Sequence, residues 1–171
     1  MNKTNDTPNS DPTISLLGCG WLGIALAPSL QQNGFFVRGS TTQTAKLSVL
    51  IVNIPPEAAM GADFHPSQIK EILHRLKGHK DFKHLLYVSS TSVYGSTQGL
   101  VDETTTPSPD PGSGEILVHA ETLLREAAEE RGFALTIVRS AGQMGPGRHP
   151  GLFLSGRQNV KDANGPVNMI H

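Results

Sequence analysis

The sequence predicts an α/β fold, a doubly wound parallel sheet, and three observations carry that prediction. Short apolar runs alternate with segments whose apolar residues recur at helical spacing. One run, Val49-Leu50-Ile51-Val52-Asn53-Ile54, is apolar at every position but Asn53, as expected of a strand covered on both faces. Near the start, Gly18-Cys19-Gly20-Trp21-Leu22-Gly23 separates apolar Ile14-Ser15-Leu16-Leu17 from Ile24-Ala25-Leu26-Ala27-Pro28-Ser29-Leu30. That places G-x-G-x-x-G between a strand and a helix, the context that gives the pattern meaning.

The elements follow in order. Residues 1–12 are polar, without the apolar stretch of a secretory signal, and read as a disordered leader before a single domain over 13–171. The first strand is expected at 13–17 and its helix at 21–32, with Gly34 as the stop. Pro28 inside that helix removes a hydrogen bond and should kink or shorten it. Residues 35–39 are the second strand and the 49–54 run the third, ended by Pro55-Pro56. Ser67 is expected to cap a helix carrying Ile69, Ile72, Leu73 and Leu76 and ending at Gly78. A strand at 84–88 then delivers Ser89, Ser90 and Thr91 to its C-terminal edge. Residues 103–114 read as a loop and 115–131 as a helix striped by Ile116, Ala120, Leu123 and Ala127, closed by Gly132. A last strand is expected at 134–138, and the glycine-rich tail from Gly142 suggests no element.

Composition excludes several classes. The net charge is −1 and no basic run occurs, so nucleic acid has no electrostatic footing. Cys19 is the only cysteine, which rules out an intrachain disulfide and points to a reducing, cytoplasmic setting. No apolar stretch approaches the ~18 residues of a membrane span. His74, His79 and His84 lie five apart, which is no metal-binding helix spacing, and H-E-x-x-H is absent, so no metal site is expected. Neither G-x-S-x-G nor the phosphate-binding G-x-x-x-x-G-K-[ST] appears.

What remains is the glycine turn, whose spacing suits a dinucleotide. Gly18 permits the tight turn, Gly20 lets the backbone approach a pyrophosphate, and Gly23 lets the helix pack on the strand. The helix then presents unpaired N–H groups and its positive end to the phosphates. Cys19, Trp21 and Leu22 complete the contact stretch. Cys19 reads as small filler and Trp21 as packing rather than as an adenine platform. Ile54, Pro55 and Ser89 join the binding set, because they follow strands on the edge where open α/β sheets bind ligands. At the end of the second strand, Arg38-Gly39-Ser40-Thr41-Thr42 holds no carboxylate to accept a ribose hydroxyl. Ser40, Thr41 and Thr42, with the Arg38 guanidinium nearby, suit a 2′-phosphate better, so NADP is expected over the alternative NAD.

These residues resemble a known family, the extended and atypical short-chain dehydrogenases/reductases of the NAD-dependent epimerase/dehydratase group, whose fold is the Rossmann type. The resemblance rests on the glycine turn, on Ser89-Ser90-Thr91-Ser92-Val93-Tyr94-Gly95, on Asp102-Glu103 before Pro107, on Arg139, and on Gly145-Pro146-Gly147-Arg148. It implies hydride transfer at a carbinol carbon of a sugar-nucleotide-like substrate. Family enzymes use a Ser/Thr, a Tyr, and a Lys four residues after the Tyr, whose ammonium lowers the tyrosine pKa for acid–base work. Ser90 takes the Ser/Thr position and is the candidate catalytic residue. The Tyr and Lys positions fall on Ser113 and Leu117. Tyr87 is followed four residues on by Thr91, and Tyr94 by Gln98, so Y-x-x-x-K is absent.

Two further departures concern size. Only seven residues separate Thr41 from Val49, where the family has a helix, a strand and another connection. A parallel crossover takes about a dozen residues or more. An edge strand is therefore expected to be missing. The C-terminal substrate lobe is expected to be missing too, which should expose apolar surface and favour self-association. Three readings stand: an NAD(P)-binding protein of epimerase/dehydratase kind, a non-catalytic dinucleotide-binding or regulatory module, and an inactive truncated remnant.

Overall fold

The computed structural model describes residues 13–39, 47–96, 98–158 and 167–171. Strands β1 (Thr13–Leu17), β2 (Phe36–Gly39), β3 (Val49–Val52), β4 (His84–Ser90) and β5 (Ala134–Ser140) form one sheet in the order β2-β1-β3-β4-β5. Every pairing in it is parallel. Parallel neighbours need crossovers, and helices α1 (Trp21–Gln32), α2 (Phe64–Leu76) and α3 (Ser113–Arg131) supply three of them. The order changes direction at β1, which has β2 on one side and β3 on the other. That topological switch point opens a crevice at the C-terminal strand ends.

Alternation along the strands assigns the two layers. Ile14, Leu16 and Ile51 face one side, where Leu26, Ala27 and Leu30 of α1 pack against them. Leu50, Val52, Leu85 and Tyr87 face the other, under Ile69, Leu73 and Leu76 of α2 and Leu117, Ala120 and Leu124 of α3. The sheet is thus wound on both faces. Fully burying one such aliphatic side chain is worth about 1.5–3 kcal/mol. Among the described residues only three buried side chains form the α1-side core, so the α2–α3 layer carries most of the stabilisation.

The β2 edge is thinly covered. Phe36 is 46% exposed and Ile24 on α1 is 69% exposed. No strand of the described residues lies beyond β2, as the short 41–49 link predicts. Ser40, Thr41 and Thr42, and the leader 1–12, lie outside the described residues.

Several boundaries differ from expectation. α2 begins at Phe64, and Ser67 is not its cap; the Ser67 N–H donates to the Asp63 carbonyl at 3.0 Å as an ordinary helical bond. Pro66 takes the third helical position, where a missing N–H costs nothing. Pro28 does not shorten α1, which runs its full twelve residues to a turn with Gly34 at φ 85°. α3 starts two residues early, at Ser113, and β4 and β5 each run two residues further, to Ser90 and Ser140. The tail is not featureless. Short strands β6 (Gly142–Gln143) and β7 (Met169–Ile170) pair in parallel, and a short helix α4 spans Pro150–Leu154.

Candidate functional site

The three glycines of the turn are constrained in different ways. Gly18 has φ 95°, and a Cβ there would collide with the backbone carbonyl of Asn53 at the end of β3. A Cβ on Gly23 would lie 2.5 Å from the Gly18 carbonyl oxygen, so α1 could not stay against the turn. Gly20 is the opposite case, with nothing within 4 Å of its Cβ position. Two glycines are needed by the fold itself, and the middle one faces open space. That space adjoins the N-terminus of α1, whose first turn holds no acidic side chain. A diphosphate fits such a cradle by shape and by charge.

Asn53 fastens the turn to β3. Its amide Nδ2 donates to the Gly18 carbonyl at 3.2 Å, and its backbone N–H donates to the Leu17 carbonyl at 2.8 Å. Cys19 is exposed, with its Sγ 3.4 Å from the Cβ position of Gly39 on β2, so it fills the step between the two strand ends. Trp21 packs against a distant segment. Its indole Nε1 donates to the Pro146 carbonyl at 2.9 Å.

A cleft of about 420 Å³ runs along the strand ends from this turn. Gly20, Trp21, Leu22, Ile54, Pro55 and Ser89, half of the predicted binding residues, line it together with the catalytic candidate Ser90. Gly18, Gly23 and Cys19 build the turn without lining the cleft.

The two serines of β4 have different duties. Ser90 Oγ accepts from the Ser92 N–H at 3.1 Å and caps the short 3₁₀ turn Thr91–Val93. A hydroxyl has one proton and two lone pairs, so Ser90 keeps its proton to donate into the cleft. Ser89 alternates to the α3 side, where its buried hydroxyl donates to Glu121 Oε1 at 2.7 Å. Leu117 also lines the cleft and is buried, whereas Ser113 is exposed at the start of α3.

Behind Ser89 lies a polar network. Glu121 accepts from Arg139 Nε at 3.1 Å and from Nη2 at 2.7 Å, a two-pronged ion pair with its carboxylate almost fully buried. The Arg139 Nη1 donates to Tyr94 Oη at 2.6 Å, and the Tyr94 hydroxyl donates to the Asp102 carbonyl at 2.8 Å. Glu121, aided by Tyr94 and against the cost of burial, raises the Arg139 pKa above its ordinary value. The Asp102 carboxyl is lowered by the hydroxyl and N–H of Thr104 and by Thr105, which fold the loop around it. Tyr87, one layer deeper, bonds His65 Nε2 at 2.7 Å. Burial, and then the Glu121 charge, raises the Tyr87 pKa; burial lowers that of His65.

Protein YeeZ of Escherichia coli K12 is 31% identical over a matched stretch of 191 residues, which takes in 92% of this chain and 68% of YeeZ. The chain belongs to the NAD-dependent epimerase/dehydratase family, as a relative of YeeZ. The matched stretch is longer than the 171 residues of this chain, so YeeZ carries residues within it that this family member does not. Two solved structures illustrate the fold. A Methylobacillus flagellatus protein assigned as an NAD-dependent epimerase/dehydratase is 28% identical, with TM-score 0.60 over 81% of this chain and 57% of its own. RMD from Pseudomonas aeruginosa, complexed with NADPH, is 19% identical, with TM-score 0.69 over 80% of this chain and 56% of its own. The chain therefore spans little more than half the length of these two solved proteins. No family model matches it.

Sequence reasoning missed Asn53, Glu121 and the packing of the 145–148 turn on Trp21. Asn53 had a signal, being the one polar residue in an apolar run. Glu121 and the turn had none within a short window, since their partners lie 18 or more positions away. Among the described residues no three His, Cys, Asp or Glu side chains gather as metal ligands, and no helix is long and apolar enough to cross a membrane.

Proposed function

We propose that the chain is a Rossmann-type NAD(P)-binding unit of the short-chain dehydrogenase/reductase class, with its ligand along the C-terminal ends of β1, β3 and β4. The open space at Gly20, beside two glycines that the fold itself requires, carries this reading. Residues 18–23 would hold the diphosphate, with Cys19 as filler. Ile54, Pro55 and Ser90 would line the rest, while Ser89 acts as wall, because its hydroxyl is committed to Glu121. Arg38, Ser40, Thr41 and Thr42 favour NADP over NAD. A bound nicotinamide would supply or accept hydride.

By its family the full reaction is hydride transfer on a sugar-nucleotide-like substrate in the cytoplasm, with Ser90 donating its proton to the reacting oxygen. A second reading, a non-catalytic dinucleotide-binding module, is favoured by Ser113 and Leu117. A leucine lining the cleft cannot lower a tyrosine pKa, and general acid–base assistance is worth about 10²–10⁴-fold. Calorimetric titration with NADP and NAD tests binding, and a turnover assay with a hydride donor separates the two readings. Absence of binding to both cofactors would overturn the proposal.

A further inference from the structure

The two edges of the sheet differ. β2 is four residues long and carries Arg38 and Gly39, whereas β5 runs for seven residues, Ala134-Leu135-Thr136-Ile137-Val138-Arg139-Ser140. β-Branched residues fill the middle of β5, and it holds neither proline nor lysine, two usual guards of an exposed edge. Its first residue fixes its hydrogen-bond phase. The Ala134 N–H donates to the Lys83 carbonyl at 2.8 Å, and the parallel register sets His84 opposite Ala134. In a parallel pair alternate residues bond the neighbouring strand, so Ala134, Thr136, Val138 and Ser140 turn their main-chain groups to β4. The N–H and C=O groups of Leu135, Ile137 and Arg139 therefore point off the sheet, and among the described residues no strand lies there to take them. The same three residues line a cavity of about 530 Å³ beside Arg125 of α3, separate from the glycine-turn cleft.

We infer that this edge is a homodimer interface, on which β5 of a second copy lies antiparallel about a two-fold axis at Ile137. Two properties of the strand select that occupant. The first is that its phase complements itself. In an antiparallel pair only outward-facing residues exchange hydrogen bonds, so Leu135, Ile137 and Arg139 must meet the same set. With the axis at Ile137, Leu135 meets Arg139 of the second copy and each outward residue exchanges both bonds. Any other register leaves at least one of them without a strand partner. The second property is charge. Thr136 meets Val138 of the second copy, an uncharged β-branched pair on the exposed face. The one charge on the strand, Arg139, is already neutralised by Glu121. On the other face, the cavity beside Leu135 and Ile137 gives the incoming apolar side chains room. One sheet then runs through both copies. A single strand pair is a small interface, so the dimer should dissociate in the micromolar range. None of this pairing depends on the ligand of the cleft.

The test is light scattering of the full chain over a micromolar-to-millimolar concentration series. The parent should pass from monomer to dimer. Thr136→Lys with Val138→Lys sets like charges directly opposite each other and should leave a monomer. Thr136→Glu with Val138→Lys sets Glu against Lys only in the register centred on Ile137, and should dimerise at least as well as the parent. Both positions are exposed, so the fold should tolerate either pair. Amide exchange of the parent, followed by NMR, reads the same interface without any substitution. The Leu135, Ile137 and Arg139 amides should exchange freely in dilute solution and slow roughly tenfold or more as the dimer forms, while those of Thr136 and Val138 stay protected throughout. A parent that is monomeric at every concentration overturns the inference. Any other pattern in the two double variants, with dimer lost in both or kept in both, overturns it as well. Outward amides that are equally slow at all dilutions also overturn it, because a strand of the same chain then already covers the edge.

Discussion

Glu121 on α3 grips Arg139 on β5 through both carboxylate oxygens, and its Oε1 also accepts the hydroxyl of Ser89. One buried carboxylate thus ties together a helix and two strand ends directly behind the cleft. Removing one partner of such a pair strands the other charge, at a cost of about 3–5 kcal/mol. Glu121→Ala should lower stability by about that amount in a denaturant melt. The double change Glu121→Leu, Arg139→Met should cost clearly less. If the single variant is as stable as the parent, the pair does not hold the strand ends.

The glycines should separate by experiment. Gly18→Ala and Gly23→Ala both meet backbone atoms, so each should lower the melting temperature sharply. Gly20→Val meets nothing, and its melting curve should overlay that of the parent. Its NADP affinity should nevertheless collapse. Tight NADP binding by Gly20→Val would place the site elsewhere.

Stability should depend on pH through His65. Burial holds its folded-state pKa below the ordinary histidine value of about 6.5, so the unfolded chain takes up the proton first. Stability present at neutral pH should therefore fall as the pH drops from about 6.5 toward the lowered folded value, by at most ~1.4 kcal/mol per pH unit. Urea melts between pH 5 and 8 (roughly the range where histidine titrates) should show this slope in the parent and lose most of it in His65→Gln.

Cofactor choice rests on the end of β2. NADP should bind more tightly than NAD in parallel titrations, and Arg38→Glu should reverse the order, because a carboxylate accepts from a ribose hydroxyl and repels a 2′-phosphate. NAD binding as tight as NADP in the parent would count against it.

If Ser113 and Leu117 take the family's Tyr and Lys positions, as proposed above, steady turnover of NAD(P)H by the purified chain is not expected. An NAD(P)H oxidation assay checks this, and activity that survives Ser90→Ala would contradict it.

The parts legible in the sequence are those fixed by short stretches. The β1–turn–α1 unit is set by neighbours within about ten residues, and α3 is betrayed by its own apolar stripe. That no strand of the described residues lies beyond β2 is in line with the short 41–49 link, since chain length limits what a link can span. Glu121 was not. A glutamate on a helix otherwise reads as a solvated face, and only Arg139, on a strand beyond the helix, makes its burial tolerable. Ser67 misled because a serine before an apolar stripe is a fair cap, while Pro66, which looks like a breaker, is harmless inside a first turn. The β6–β7 pair is two residues per strand and leaves no periodic trace.

Trp21 is the only tryptophan in the chain, and it stands at the cleft wall with its ring against Gly145 and its N–H on Pro146. All indole fluorescence therefore originates at one place, next to the proposed ligand. A reduced nicotinamide absorbs where indole emits, so NADPH bound in the cleft should quench this emission by energy transfer, whereas oxidised NADP should not. Opening of the 145–148 turn should shift the emission to the red as water reaches the ring. The protein thus carries its own optical reporter, with colour following the turn and brightness following the redox state of the ligand.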